Sequence, residues 1–138
     1  MIAIIRISGQ IDVVKDIKET LSRLRLRKKF VCVVIDERKE ILGMLMKVRN
    51  FVAYGKINDK TLEELIKKRG KAEDKKKKID AKEASEMILK NRSFEGTGLK
   101  PFFRLHPPRG GFDSKKHFPR GVLGNHGDKI NELIIRML

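Results

Sequence analysis

Two periodicities alternate along residues 1–57, and no other feature of the chain restricts its fold as strongly. MIAIIRIS, KFVCVVID and FVAYGKI are short runs rich in β-branched residues, the composition of strands. Between them, Val13, Ile17, Leu21 and Leu24, and then Ile41, Leu45, Val48 and Val52, recur at the three-to-four-residue spacing that gathers apolar side chains on one helix face. Asp12 and Asp36 precede the two stripes and are read as their N-caps. Gly55, inside the third run, reads as a bulge or a point of close approach. The order is β-α-β-α-β. Two amphipathic helices can share one face of a three-stranded sheet, which predicts a two-layer α+β sandwich.

Residues 58–138 read as an extension of that core. NDKTLEELIKKRG predicts a short helix capped by Asn58 or Asp59 and ended by Gly70. KAEDKKKK reads as a solvated linker, and Asp80 with Glu83 as a box-like start for a helix carrying Ala84, Met87 and Ile88. LKPFFRLH supplies a short strand that Pro101 restricts to an edge or a strand start, with Phe102 and Phe103 assigned to the core. A last helix, capped by Asp128, carries Ile130, Leu133, Ile134 and Met137 on one face and must pack back on the body.

Charge narrows the partner. Lys and Arg number 33 against 18 Asp and Glu, a formal net charge of +15, and a compact state carrying that excess is relieved by a polyanion. Nucleic acid is the first candidate. A membrane surface would call for a basic amphipathic helix or a lipidation signal, and the opening MIAIIRISGQ has the form of neither a signal peptide nor a membrane span, so the expectation is a soluble, unexported chain. Cys32 is the single cysteine, sits in an apolar run and reads as a small core residue in a reducing compartment.

The cations concentrate in two places. RLRLRKK holds Arg23, Arg25, Arg27, Lys28 and Lys29 at one end of the predicted sandwich, where guanidinium groups can converge. RLHPPRGGFDSKKHFPRG, residues 104–121, is too poor in apolar residues to close a core, so something outside the protein is expected to hold it. Within it Arg104, Arg109, Lys115, Lys116 and Arg120 suit phosphates, each contact releasing counterions. Gly110 and Gly111 admit a close backbone, Pro107 and Pro108 stiffen the approach, and Phe112, Phe118 and the histidines suit unpaired bases. The lysine run at 75–78 reads as a solvated face. Catalysis finds less support: His106, His117 and His126 lie eleven and nine residues apart without Cys or acid at metal-ligand spacing, and no phosphate-binding or nucleophile motif is present. No metal and no cofactor are expected.

Three stretches, in order, resemble one family. GMLMKVRNFVAYG at 43–55, FRLHPPRGGF at 103–112, and KKHF followed by LGNHGDKINELIIRML are similar to large-subunit ribosomal protein thirty in its archaeal form, the relative of eukaryotic large-subunit protein seven. The resemblance implies an antiparallel three-stranded sheet in a ferredoxin-like β-α-β-α-β core (1–57), followed by the helical and loop-rich extension (58–138). It implies a non-catalytic constituent of the large ribosomal subunit in the cytoplasm, bound to large-subunit ribosomal RNA near the 5S RNA and beside other ribosomal proteins, with no membrane and no small-molecule substrate. By position it carries RNA contacts onto Lys47, Arg49, Asn50, Arg104, His106, Arg109, Gly110, Gly111, Lys115, Lys116 and His117, to which Lys56 and His126 in the flanking matched stretches are added. Met44, Val48 and Val52 are assigned to the core. Leu42 stands where the family often has Arg, so that contact is not transferred. The rivals are an RNA-binding protein of RNA processing outside the ribosome and a metal-independent nuclease using His106 and His117.

Overall fold

The computed structural model describes residues 1–138 apart from Gln10, Asp12, Lys77, Phe112, Asp113 and Lys115. The predicted core is present as β1 (Ile2–Arg6), α1 (Lys15–Arg23), β2 (Val31–Ile35), α2 (Lys39–Val48) and β3 (Val52–Lys56). β1 is central and antiparallel to both neighbours, with Ile4 opposite Val33 and Tyr54. The sheet has five strands, not three: β4 (Phe103–Arg104) adds antiparallel to β2 and β5 (Gly124–Asn125) adds parallel to β3, giving the order β4-β2-β1-β3-β5. The outer edges of β2 and β3 offer unpaired backbone groups, and two short segments of the extension satisfy part of them.

Side chains alternate across the sheet, and both faces are covered. Ile2, Ile4, Val31, Val33 and Val52 pack with Leu21 and Leu24 of α1 and its C-terminal end and with Leu45 and Val48 of α2. Ala3, Ile5, Cys32, Val34 and Ala53 face the other way, onto α3 (Asp59–Arg69), α4 (Ala81–Asn91) and α5 (Ile130–Met137). The two-layer expectation therefore gains a third layer. Burial on both faces is why β1 reads as a continuous apolar run and not an alternating one. Cys32 lies fully inside, where desolvation pushes its thiol up to about 12.

The ends of the elements explain where the extension sits. Asn58 caps α3, its side chain accepting from the Thr61 amide at 2.8 Å, and Asp80 caps α4 by accepting from Lys82 N–H. Of the three α4 residues singled out in the sequence, Ala84 and Ile88 are buried and Met87 is exposed. Asp36 does not cap α2, whose N-cap is Arg38; its carboxylate is taken by Arg92 at 3.0 Å, which holds it below the usual carboxylate range. Asp128 does not cap α5 either, because a 3₁₀ turn at Gly127–Lys129 precedes the helix. The Asp12 cap falls outside the described residues.

α5 buries Ile130, Leu133, Ile134 and Met137 as its spacing requires. Asn131, buried on the same helix, accepts from the Asn58 amide at 3.0 Å and donates to the carbonyls of Lys56 and Asp128. Gly55 is the predicted close approach, since a Cβ there would stand 2.2 Å from the Gly127 carbonyl oxygen and 2.9 Å from Ile130 Cβ. These contacts seat the C-terminal layer on the end of β3.

Candidate nucleic-acid interface

The loop between α1 and β2 carries the first cationic cluster in a defined shape. Arg25 and Phe30 take left-handed backbone conformations, φ 64° and 63°, which L residues adopt only when surroundings hold them. One of those surroundings is Arg6 in β1, only 3 % exposed. Its guanidinium donates to the carbonyls of Leu26 at 2.7 Å, Ser8 at 3.0 Å and Gly9 at 3.2 Å, while its own carbonyl accepts from Phe30 N–H at 2.7 Å. Burial lowers its hold on its proton, yet an arginine stays charged at neutral pH. Sequence reasoning absorbed Arg6 into an apolar strand; the lone cation in an isoleucine run was the signal.

β4 brings the second cluster to the first. Val31 pairs with Arg104, and the Leu105 amide donates to the Phe30 carbonyl at 3.0 Å. The result is a groove of about 450 Å³ walled by Arg25, Arg27, Lys28 and Arg104 over Val31, Pro101 and Phe102. The start of the edge strand separates the two phenylalanines: Phe103 is fully buried opposite Cys32, while Phe102, just before the strand, is half-buried and lines the groove, with the Arg104 guanidinium carbon 6.0 Å from its ring centre. The assignment of both to the core holds fully for Phe103 and in part for Phe102, which packs against the core on one side and faces the groove on the other. At the margin, Arg23 pairs with Glu19 at 2.9 Å and Lys29 lies 5.0 Å over Phe30.

The 104–121 run is held by the protein itself, contrary to expectation. The last turn of a helix leaves carbonyls without intrahelical partners, and here the run supplies donors. His106 N–H donates to Met137 and Arg109 N–H to Arg136, while the Arg136 guanidinium returns to the carbonyls of Arg109 and Gly111. His106 lies between the carbonyls of Pro107 and Leu138, at 2.6 and 2.5 Å. Further on, Leu123 N–H donates to Lys116 and Phe118 N–H to Leu123, and Gly121 packs directly on the Lys116 backbone. Arg109, Gly110, Gly111, Lys116, Arg120 and Pro107 are exposed, whereas Pro108 is buried. Phe112 and Lys115 fall outside the described residues.

The remaining candidates divide. His117 Nε2 meets Asn50 Oδ1 at 2.7 Å, joining the end of α2 to the run across 67 positions of sequence. Arg49 and Lys56 are exposed, and Lys47 pairs with Asp16 at 2.6 Å. His126 is inside, its Nε2 on the Val122 carbonyl at 2.6 Å and its ring centre 4.6 Å from that of Phe118; burial lowers its pKa against the raising effect of that carbonyl. Lys129 sits 5.7 Å from the Phe118 ring centre, so that phenylalanine has partners already. The imidazoles of His106 and His117 engage different oxygens and share none, which leaves a paired-histidine nuclease without its geometry. Among the described residues, no helix is long and apolar enough to cross a membrane.

Sequence comparison identifies relatives of this basic architecture. The model of the family described as Ribosomal protein L30p/L7e matches residues 2–52. A protein of Archaeoglobus fulgidus named Large ribosomal subunit protein uL30 is 40% identical, covering 99% of this chain and 99% of its own. The chain belongs to the Ribosomal protein L30p/L7e family. Proteins of the same name from Nanoarchaeum equitans and Desulfurococcus amylolyticus are 37% and 44% identical, each over 99% of this chain and 97% of their own length. An L30p/L7e protein is a structural component of the translation machinery and not an enzyme, located in the large subunit of the cytoplasmic ribosome. Both basic clusters then lie on a ribosomal protein.

Proposed function

We propose that this chain is a structural constituent of the large ribosomal subunit that grips ribosomal RNA, close to the 5S RNA, through two exposed basic surfaces. The first is the groove between the 24–30 loop and β4. The second is the exposed side of the 104–121 run with Arg109, Lys116, Arg120 and the Asn50–His117 junction, which Arg49 adjoins, and Lys56 is a further exposed contact at the far end of β3. Residues 1–57 act as a ferredoxin-like scaffold for the first, and the 58–138 extension supplies the second. Neighbouring ribosomal proteins are its other partners.

The observation that carries the reading is the convergence of Arg25, Arg27 and Lys28 with Arg104 from a strand more than seventy residues away. Each phosphate such cations neutralise releases counterions, so binding weakens steeply with salt. His126 and Pro108, being buried, serve the shape of the surface and not the contact.

Ultraviolet crosslinking of the tagged protein in its own cells, followed by sequencing of the attached RNA, tests the reading. Adducts in large-subunit and 5S ribosomal RNA, on peptides from the 24–30 and 104–121 segments, are expected. Adducts spread over unrelated RNAs would refute it in favour of a general RNA-binding role. Replacing Arg104, Arg109, Lys115 and Lys116 by Ala should weaken RNA binding and flatten its salt dependence with melting still cooperative.

A further inference from the structure

The groove beside β4 holds more than phosphate-binding cations, because its floor is apolar. Val31, Pro101 and Phe102 lie under the four basic side chains. A grip on duplex RNA has no use for such a floor, since the bases of an A-form helix are stacked inside it and only phosphates and 2′-hydroxyls face outward. An unpaired base brought out of its stack has an apolar face that must go somewhere, and aromatic rings and guanidinium planes are where it stacks.

We propose that the groove seats one unpaired, unstacked RNA base on the Phe102 ring, with the flanking phosphates held by Arg25, Lys28 and Arg104. The proposal rests on the RNA-binding reading above and names the RNA element that this site takes. Phe102 is suited to the role by its place just before the edge strand: it touches the core on the α1 and α2 side yet also lines the groove, two residues from Arg104, which lines the same groove. A volume of about 450 Å³ accommodates a nucleobase and its ribose.

Charge supports the same occupant. Among the described residues, no carboxylate lies within ion-pair distance of the exposed Arg25, Lys28 or Arg104, so none competes with a phosphate for them. Arg27, which donates to the Ser22 hydroxyl at 3.3 Å, is left out of the contact set. The seat also exists before RNA arrives. Arg6 braces the loop through the Leu26 carbonyl and Arg25 already has its left-handed backbone, so little ordering remains to be done on binding.

The test uses the full chain and two RNA hairpins that differ only in a single bulged 2-aminopurine nucleotide, a base whose fluorescence reports stacking. The wild-type protein should bind the bulged hairpin about 5- to 150-fold more tightly than the paired one, the range expected for one stacked base, and should quench the 2-aminopurine. Phe102→Leu keeps the apolar bulk and loses the ring; it should abolish the preference and the quenching without changing the salt dependence. Lys28→Ala should weaken both hairpins and lower the salt slope by about one. Equal affinity for the two hairpins, no quenching with the wild-type protein, or a preference that survives Phe102→Leu would overturn the base seat while leaving phosphate binding intact. Failure to bind either hairpin would instead overturn the RNA-contact reading, and the seat with it. The wild-type quenching does not depend on how well the variant folds.

Discussion

Replacing Arg6 by Met removes three hydrogen bonds from under the 24–30 loop and little apolar packing. The bond to Leu26 is buried, and losing a charged donor there leaves a carbonyl without a partner, at a cost of about 1–3 kcal/mol. The Ser8 and Gly9 carbonyls are part-buried and can turn to water, so their loss adds roughly 0.5–1 kcal/mol each. Against this stands the desolvation of a guanidinium that no carboxylate accompanies, which the methionine no longer suffers. The net destabilisation should be about 2 kcal/mol, a fall in Tm of roughly 4–10 °C for a chain of this size. Circular dichroism melts measure it. Because Arg6 is buried and reaches no phosphate, RNA affinity should drop through the loosened loop with the salt slope unchanged. An unchanged Tm would show that the carbonyl contacts hold nothing, and a salt slope reduced by about one would make Arg6 a phosphate ligand; either result refutes the bracing argument.

Gly55→Ala should destabilise by about 1–3 kcal/mol, since its new methyl meets the Gly127 carbonyl and the backbone itself must move; urea titration with unchanged m-value checks this. His126 has a folded pKa below its ordinary 6.5, so the unfolded chain takes up the proton first: stability should be full above about pH 6.5, decline as pH falls through the folded value, and lose that slope in His126→Gln, as read from urea midpoints between pH 8 and 5. Cys32, its thiol pushed up to about 12, should resist alkylation at pH 8 in the native protein and react at the rate of unfolding, and fast labelling under native conditions would contradict its burial.

Some of this was legible before any coordinates. The β-branched runs at Ile2–Arg6, Val31–Ile35 and Val52–Lys56 and the stripes of α1, α2 and α5 depend on neighbours a few residues away, and they fold as their spacing says, except that Val13 precedes α1 and Val52, counted on the α2 stripe, opens β3. β4 falls inside LKPFFRLH, the short edge strand its composition suggested, but its pairing with β2 did not show, nor did β5, because two residues carry no periodicity and their partners lie far off in sequence. Asp36 and Asp128 looked like caps because local propensity favours them, but Arg92 claimed the first and a 3₁₀ turn displaced the second. The site divides in the same way. Charge on 23–29 and 104–121 was plain from composition, whereas the choice between Phe102 and Phe103 for the groove follows from which one register places opposite Cys32.

The sequence by itself determined the β-α-β-α-β order, the polyanion-seeking charge and the apolar face of the last helix, because each is a property of residues within a turn or a strand of one another. Only the tertiary structure decided that α3, α4 and α5 cover the second face of the sheet, that residues 106–111 lie on the end of α5, and that Arg6 braces a loop twenty residues away. Those outcomes were settled by which strand edges, helix-end carbonyls and buried cations still lacked partners once the local elements had formed.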